Sequence, residues 1–410
     1  SSASSRTTWT FSWWWKRGNL SGSTNGTNQR QPIFGTTAFS ILSNHNSTQI
    51  DGINVVYTGS ANDIQTSEPY RDVSAWYHFV FVLDTTNSIS TERVRLYKNG
   101  ERVTSFASIT YPSKDTTYTV NNTQAHYIGF RNSGENLDGY LAEIHFVDGY
   151  AYDPSYFGEF DDFDNWIPKQ YSGSYGTNGF KIDGRDSSDL GDDESGNGND
   201  FTTSGLAADD QQPDSPTNNH AVFNPLDVAS NGFTDFSEGN LAISYSGNSA
   251  RELARSTITI PANTDGFFEM KITADLGSGV DFAIGIEDGS ALQDASNTTY
   301  TNGYIIREDG TFSTSGSGST SSYGTSFDQN DVVGVWRKAN GDLVFYKNGT
   351  AMNSGTPAVT GVTGEMHFVA GGFNGGAGIA RFSSDQWTNT PTGVSSSMAL
   401  TTKNLFGWGG

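Results

Sequence analysis

Trp9-Thr10-Phe11-Ser12-Trp13-Trp14-Trp15 is the stretch that decides the fold class. Trp9, Phe11, Trp13 and Trp15 alternate with Thr10, Ser12 and Trp14. Side chains on a strand point to opposite faces with a period of two, so this is a strand with one heavily aromatic face. Trp76-Tyr77-His78-Phe79-Val80-Phe81-Val82-Leu83 is apolar on both faces, as expected of a central strand in a sandwich. Val94 and Leu96 lead into Tyr97-Lys98-Asn99-Gly100. Asn-Gly between strands favours a type I′ hairpin turn, because both residues tolerate positive φ. Tyr127 to Phe130 and Leu141 to Val147 read as further strands, and only short helical turns fit, for example around Pro154-Ser155-Tyr156-Phe157.

A second β block begins near Phe223. Its strands are read over 267–272, 282–286, 303–306, 332–336, 343–346, 366–370 and 378–382. One of them again runs into Tyr346-Lys347-Asn348-Gly349. A Trp-bearing strand followed by a Tyr-Lys-Asn-Gly hairpin therefore occurs once per block, at Trp76 and at Trp336. Either two sandwiches share an architecture, or both have converged on a good hairpin turn.

The 410 residues hold 45 acids against 23 Lys and Arg, a formal net charge of -22, and no Cys. At roughly 150 residues per domain this length suggests two or three domains. A disulfide framework and a cysteine-ligated metal are excluded, and the charge has the wrong sign for a nucleic-acid binder. No apolar run approaches the ~18 residues of a membrane span, so no membrane insertion is expected. The chain opens on Ser1 without Met or a signal-like segment, which reads as a piece of a longer chain or a processed end.

Residues 166–222 change composition towards Gly, Ser, Asn and Asp and read as an inter-domain connector. Phe180, Ile182, Phe201 and Leu206 within it suggest that it hugs a domain surface. Asp183, Asp186, Asp189, Asn197, Asn199 and Asp200 supply hard oxygen ligands of the kind that suit calcium. Their spacing is not that of an EF-hand, and a solvated acidic loop is the competing account. Asn199 and Asp200 are preferred as ligands, since they adjoin the apolar anchor Phe201. Glu159, Asp161, Asp162 and Asp164 form a second acidic run. Paired carboxylates can hydrolyse glycosides when held ~5–9.5 Å apart, but this run follows the last strand of its block. There is no Gly-x-Ser-x-Gly elbow, no P-loop and no His-x-x-x-His pair. The expectation is a non-enzymatic protein.

Two resemblances follow from these residues. Trp76 to Val80, Leu96 to Gly100, Tyr127-Ile128-Gly129 and Leu137 to Ile144 together resemble the laminin-G-like (concanavalin-A-like) pattern, with Ala142 where that family often has Asp. Gly303-Tyr304, Asp331 to Val335, Leu343 to Gly349 and a terminal Ala380-Arg381-Phe382 resemble a SPRY domain, its last element degraded. The combination, with Trp166 to Lys169, Tyr175 to Phe180 and Asp193 to Phe201 between the two, looks like large phage proteins of marine viruses, in which the pair sits in fibre, spike or appendage subunits.

The expectation is an all-β chain of two antiparallel β-sandwiches, a concanavalin-A-like jelly roll and a SPRY-like sandwich, joined by a long acidic Gly/Asp-rich connector. Its parts are 1–165, a connector over 166–222, 223–395 and an aromatic tail over 396–410. The resemblance implies a virion-surface subunit that binds host-surface polysaccharide or neighbouring virion proteins, as a homo-oligomer. The alternatives are a purely structural capsid decoration or filament subunit, a polysaccharide depolymerase, and a secreted or cell-surface adhesin. Glycan binding calls for aromatic platforms and planar polar groups on loops. Trp14, Tyr70, Arg131, Asn132 and Tyr323 are the candidates. Calcium is the one cofactor the sequence suggests.

Overall fold

The computed structural model describes residues 3–18, 20, 30–43, 51–57, 63–131, 135–228, 233–247, 252–277, 279–290, 303–314 and 320–402. They form antiparallel strands and short 3₁₀ turns. The chain divides into two compact units, Ser1–Ser21 with Thr27–Thr217 and Gly22–Gly26 with Asn218–Gly410.

In the first unit the front sheet runs Phe180–Ile182, Gly139–Asp148, Thr8–Arg17, Trp76–Asp84, Val94–Lys98 and Glu101–Arg102. The back sheet runs Tyr127–Ile128, Gln31–Gly35, Ser40–Ser43, Ile53–Val56, Ile64–Thr66 and Phe106–Ile109. Trp9, Phe11, Trp13 and Trp15 point into the core between the sheets, as their alternation requires. Phe11 stacks on Phe34 of the back sheet at 4.4 Å, and Trp9 meets Phe39 edge-on at 5.4 Å. Fully burying one such ring removes enough apolar surface for on the order of 4–6 kcal/mol, an upper figure. The indole N–H groups of Trp9, Trp13, Trp14 and Trp15 have no acceptor among the described residues, so this strand contributes through apolar burial. Arg17, next in the same phase, closes the end of the core. It donates to buried Asp51 at 2.5 Å, and burial lowers its pKa to about 10.

The second unit has the same plan. Its front sheet runs Phe233–Ser237, Ala242–Tyr245, Ala377–Arg381, Gly266–Ile272, Val332–Arg337, Leu343–Lys347 and Thr350–Ala351. Its back sheet runs Glu252–Ile260, Met366–Phe373, Asp281–Glu287, Gly303–Arg307, Thr311–Ser313 and Thr320–Ser322. Phe268 packs across the sandwich on Phe368 at 4.3 Å. In both front sheets the order is a late strand, an early strand, the strand that enters the hairpin, and the two hairpin arms.

The hairpin echo is an echo of architecture. Asn99 and Gly100 have φ of 47° and 85°, and Asn348 and Gly349 have 49° and 77°, the pair of left-handed residues that a type I′ turn needs. Asn99 Oδ1 accepts the His78 N–H at 2.8 Å, and Asn348 Oδ1 accepts the Val332 N–H at 2.8 Å. The tryptophans are not equivalent: Trp76 lies two residues before His78, whereas Trp336 lies four after Val332.

Two expectations are corrected by what covers the outer face of the first front sheet. The stretch 166–222, expected as a connector that hugs a domain surface, belongs to the first unit as far as Thr217, beyond the boundary expected at 165. Phe180–Ile182 is an edge strand paired with Ile144 to Phe146. Residues from 149 to 214 lie over the outward face, and its polar side chains anchor them. Thr10 Oγ1 donates to the Tyr150 carbonyl at 2.8 Å and accepts the Tyr152 N–H at 2.9 Å. His145 Nδ1 meets the Tyr175 hydroxyl at 2.8 Å. Lys16, wholly buried, pairs with Asp214 at 2.6 Å, and Asp214 also accepts Trp76 Nε1 at 2.7 Å. A β-bulge opposite Trp13 puts Glu143 at φ 45°, and its carboxylate takes Arg185 at 2.9 Å. This cap is absent from the alternation of the strand itself, which is why Trp14, read as outward, is buried.

The second unit is capped in the same way by residues that follow its last sheet strand. Trp387 meets Phe267 edge-on at 4.8 Å, and the buried Glu269 carboxylate accepts the N–H groups of Thr388 and Asn389 at 2.8 and 2.7 Å. Of the expected tail, residues 396–402 are described, with Leu400 buried and Thr401 bridged to His220. Residues 403–410 lie outside the described residues.

Candidate functional site

The cap of the first unit meets the Tyr97 to Gly100 hairpin around an open pocket of about 490 Å³. Tyr97 and Gly100 come from the hairpin, and Asp153 to Ser155, Gly158 to Phe160, Trp166 and Lys169 come from the cap. Gly158–Phe160 and Trp166–Pro168 form a two-stranded ribbon. Its turn is set by Asp161, whose Oδ1 accepts the N–H groups of Phe163 and Asn165 at 2.9 and 2.8 Å. The 3₁₀ turn Pro154–Tyr156 is capped by Asp153, which accepts the Ser155 N–H at 2.9 Å.

Trp166 is the wall of the pocket and is held from behind. Its Nε1–H donates to His78 Nδ1 at 2.8 Å, and His78 Nε2 meets Ser12 Oγ at 2.8 Å. An indole N–H only donates, so Nδ1 accepts and the imidazole proton sits on Nε2. Burial, and then the neighbouring His145, hold His78 down to a pKa of about 3. It is therefore neutral. Ser12 and His78 are both wholly buried, and Trp166 occupies the nitrogen that a triad carboxylate would hold, so the pair is a strut and not a nucleophile with its base. Trp166 also lies so close to Gly100 that a Cβ there would stand 2.7 Å from its ring.

The walls are aromatic and the rim is polar. Phe160 meets Trp166 edge-on at 4.9 Å and is 56% exposed. Lys169 Nζ lies 3.5 Å from Glu159 and donates to the Ser155 carbonyl at 3.3 Å. Apolar walls with a few oriented polar groups are the usual form of a small-ligand site. Rings of this kind stack on the C–H faces of a sugar, and Glu159 and Lys169 can hydrogen-bond its hydroxyls.

Of the five residues expected to bind glycan, two are buried in the first unit. Trp14 is buried and stacked on His78 at 4.8 Å. Tyr70 is buried edge-on against Phe79 at 5.1 Å. Both are corrections, since neither presents a ring to solvent. Arg131 pairs with Glu135 at 3.4 Å at the edge of a short ribbon, and Asn132 lies outside the described residues. Tyr323 belongs to the second unit and donates to the Thr356 carbonyl at 2.8 Å.

The oxygen-rich loop folds on itself. Asp193, outside the preferred ligand set, accepts the N–H groups of Lys181, Ser195 and Asn199 at 2.9 Å each. Asp200 accepts the Asp193 N–H at 3.2 Å, and Asn197 and Asn199 donate to the Gly179 carbonyl at 2.9 and 3.0 Å. Asp183, Asp186 and Asp189 close local turns at Arg185, Ser188 and Gly191. Among the described residues no three acidic or histidine side chains converge as a metal site.

The sequence signal for the pocket was aromatic density. Nine of the 26 residues from Tyr150 to Tyr175 are Phe, Trp or Tyr, too many for a solvated hinge.

The family model of the Concanavalin A-like lectin/glucanases superfamily matches residues 1–151. The pocket residues from Asp153 onward therefore lie beyond the matched part. Among solved structures the chain is similar to the SPRY domain of human HERC1, with 14% identity, 34% of this chain and 87% of that chain covered, and a TM-score of 0.29. It is similar to a human SPRY domain at 18% identity, 34% and 91% coverage and a TM-score of 0.28. It is also similar to the native heptameric SAP-like pentraxin from Limulus polyphemus at 16% identity, 37% and 67% coverage and a TM-score of 0.27. No curated protein matches the chain.

Proposed function

We propose that this chain is a non-enzymatic surface subunit that binds saccharide through the pocket between the hairpin and the cap of its first unit. The observation that carries the reading is the pairing of Trp166 and Phe160 at 4.9 Å beside Glu159 and Lys169, in an open pocket of a size that takes one or two sugar units. The match of residues 1–151 to a superfamily of lectins and glucanases supports binding of this class. A binding role without hydrolysis is supported by the partners of the acids. Glu159 pairs with Lys169, and Asp153 and Asp161 are each committed to their own turns.

A single open pocket binds weakly. Many copies on one particle convert weak sites into firm attachment, which fits the virion appendage that the sequence resemblance implies. The test is a glycan array with the intact protein and with Glu159→Gln and Phe160→Ala. Binding to a defined set of glycans, reduced tenfold or more in both variants, supports the reading. An array without signal, from protein shown to be folded, removes it. Antibody labelling of particles tests the virion placement separately, and label confined to cell envelopes would replace it with a cellular adhesin.

A further inference from the structure

Lys16 stands on the outward face of Thr8–Arg17, directly opposite Trp76 on one neighbouring strand and Tyr140 on the other. The rings of Trp76 and Tyr140 are 6.2 Å apart, and Lys16 Nζ lies 5.6 Å from the centre of the Tyr140 ring. Asp214 closes this aromatic box from the cap, and the side chains of Lys16 and Asp214 are 0% and 5% exposed. Burial strips both groups of the hydration that favours charge, and so favours a neutral amine beside a neutral acid. Burial lowers the Lys16 pKa by more than the charges of Asp214 and Asp72 raise it.

The two carboxyl oxygens of Asp214 are held differently. Lys16 Nζ lies 2.6 Å from Oδ2, while Trp76 Nε1 donates to Oδ1 at 2.7 Å. The amine thus stands at one oxygen, and the indole N–H is aimed at the other. Negative charge develops on that second oxygen when the amine adds to the carbon between them. Two groups fixed this close need no encounter in order to react.

We infer that Lys16 and Asp214 condense into an isopeptide bond that fastens the cap to the front sheet of the first unit. The Lys16 proton passes to Oδ2, and the freed lone pair of Nζ attacks Cγ. The adduct passes a second Nζ proton to Oδ2, the Cγ–Oδ2 bond breaks, and water leaves. The product is an amide, formed without any oxidant or reductant. The two residues are 198 apart in the chain. In a protein without Cys the bond supplies the long-range covalent brace that a disulfide gives elsewhere. It is independent of the saccharide reading.

The experiment is denaturing mass spectrometry of the intact protein, followed by peptide mapping. Folded protein incubated near neutral pH should weigh less than its sequence by one water. Its digest should contain a branched peptide that joins Lys16 to Asp214. Wild-type protein held in urea throughout should keep the full mass, since only the fold brings the pair together. Lys16→Arg should keep the full mass as well. The wild-type map decides the question even where that variant folds poorly. A folded wild-type chain of full mass after prolonged incubation overturns the inference and leaves an ordinary ion pair. A water loss confined to Asp214 and Ser215, as a succinimide there would give, overturns it too, and so does a loss that persists in Lys16→Arg.

Discussion

Trp166 Nε1 donates to His78 Nδ1 across 2.8 Å, and this one bond ties the wall of the candidate pocket to the centre of the front sheet. Burial holds the imidazole down to about 3, against ~6.5 for a free histidine. A group whose folded pKa is depressed takes up its proton more readily in the unfolded chain. Its stabilising contribution is therefore fully present above pH 6.5 and is lost as pH falls towards 3. His78 should show no protonation by NMR titration down to about pH 4. Protonation near 6.5 in folded protein would contradict the bond. Trp166→Phe keeps most of the ring but strands Nδ1, and should lower the unfolding free energy of the first unit by about 1–3 kcal/mol in urea.

Gly100 and Gly349 occupy the same turn position with different surroundings. Both have positive φ, so alanine costs roughly 1–2 kcal/mol at each. At Gly100 the added Cβ also meets the Trp166 ring at 2.7 Å, while at Gly349 the nearest atom is the Asn389 carbonyl oxygen at 3.3 Å. Overpacking adds about 1–3 kcal/mol. Gly100→Ala should therefore be the more damaging in urea unfolding. Equal losses would mean that Trp166 does not rest on the hairpin.

The second unit should lose stability towards alkaline pH through Glu308. Burial, and next the charge of Asp281, raise its carboxyl to about 7. A raised folded pKa gives stability that is complete below the unfolded value near 4.3 and is lost as pH rises through 7. Glu308→Gln should flatten the melting temperature of this unit between pH 5 and 8. A profile unchanged by the substitution would show that Glu308 titrates normally.

Asp193 organises the acidic loop by accepting three backbone N–H groups. Asp193→Ala should cost at least about 3 kcal/mol, since hydrogen bonds to a charged acceptor are worth ~1.5–3 kcal/mol each and buried donors are left behind. Asp193→Asn, which keeps one acceptor oxygen, should fall between. Thermal melts with and without chelator check the alternative. A melting temperature that drops on chelation would show that a bound cation orders the loop.

Strand alternation made the central strands of the front sheets readable, but not Phe180–Ile182, Phe233–Ser237 or Ala242–Tyr245. Trp9 to Trp15, Trp76 to Leu83 and both Asn-Gly turns lie where their patterns put them. Of the back sheet of the first unit only Tyr127–Ile128 was legible, because the other strands are short and interrupted. Gln31–Gly35 carries Pro32 at a register shift, and Ile53–Val56 has four residues. The pocket was hidden for another reason. Whether Trp14 or Trp166 meets solvent depends on a cap that crosses the sheet, and no local periodicity records a covering layer that comes from 130 or more residues downstream.

The cap also sets a clock for the growing chain. Gly139–Asp148 pairs with Thr8–Arg17 at the centre of the front sheet, but Asp214, which seats Lys16 and Trp76, is made 66 residues later. At ~5–20 residues per second, roughly 3–13 s of synthesis separate the two events. Val80, Val82 and Val147 receive their cover, Phe157 and Tyr171 with Tyr152 and Tyr175, early in that interval, whereas Lys16 and Trp76 meet Asp214 only at its end. The Lys16–Asp214 pair therefore closes only after the acidic loop has been translated.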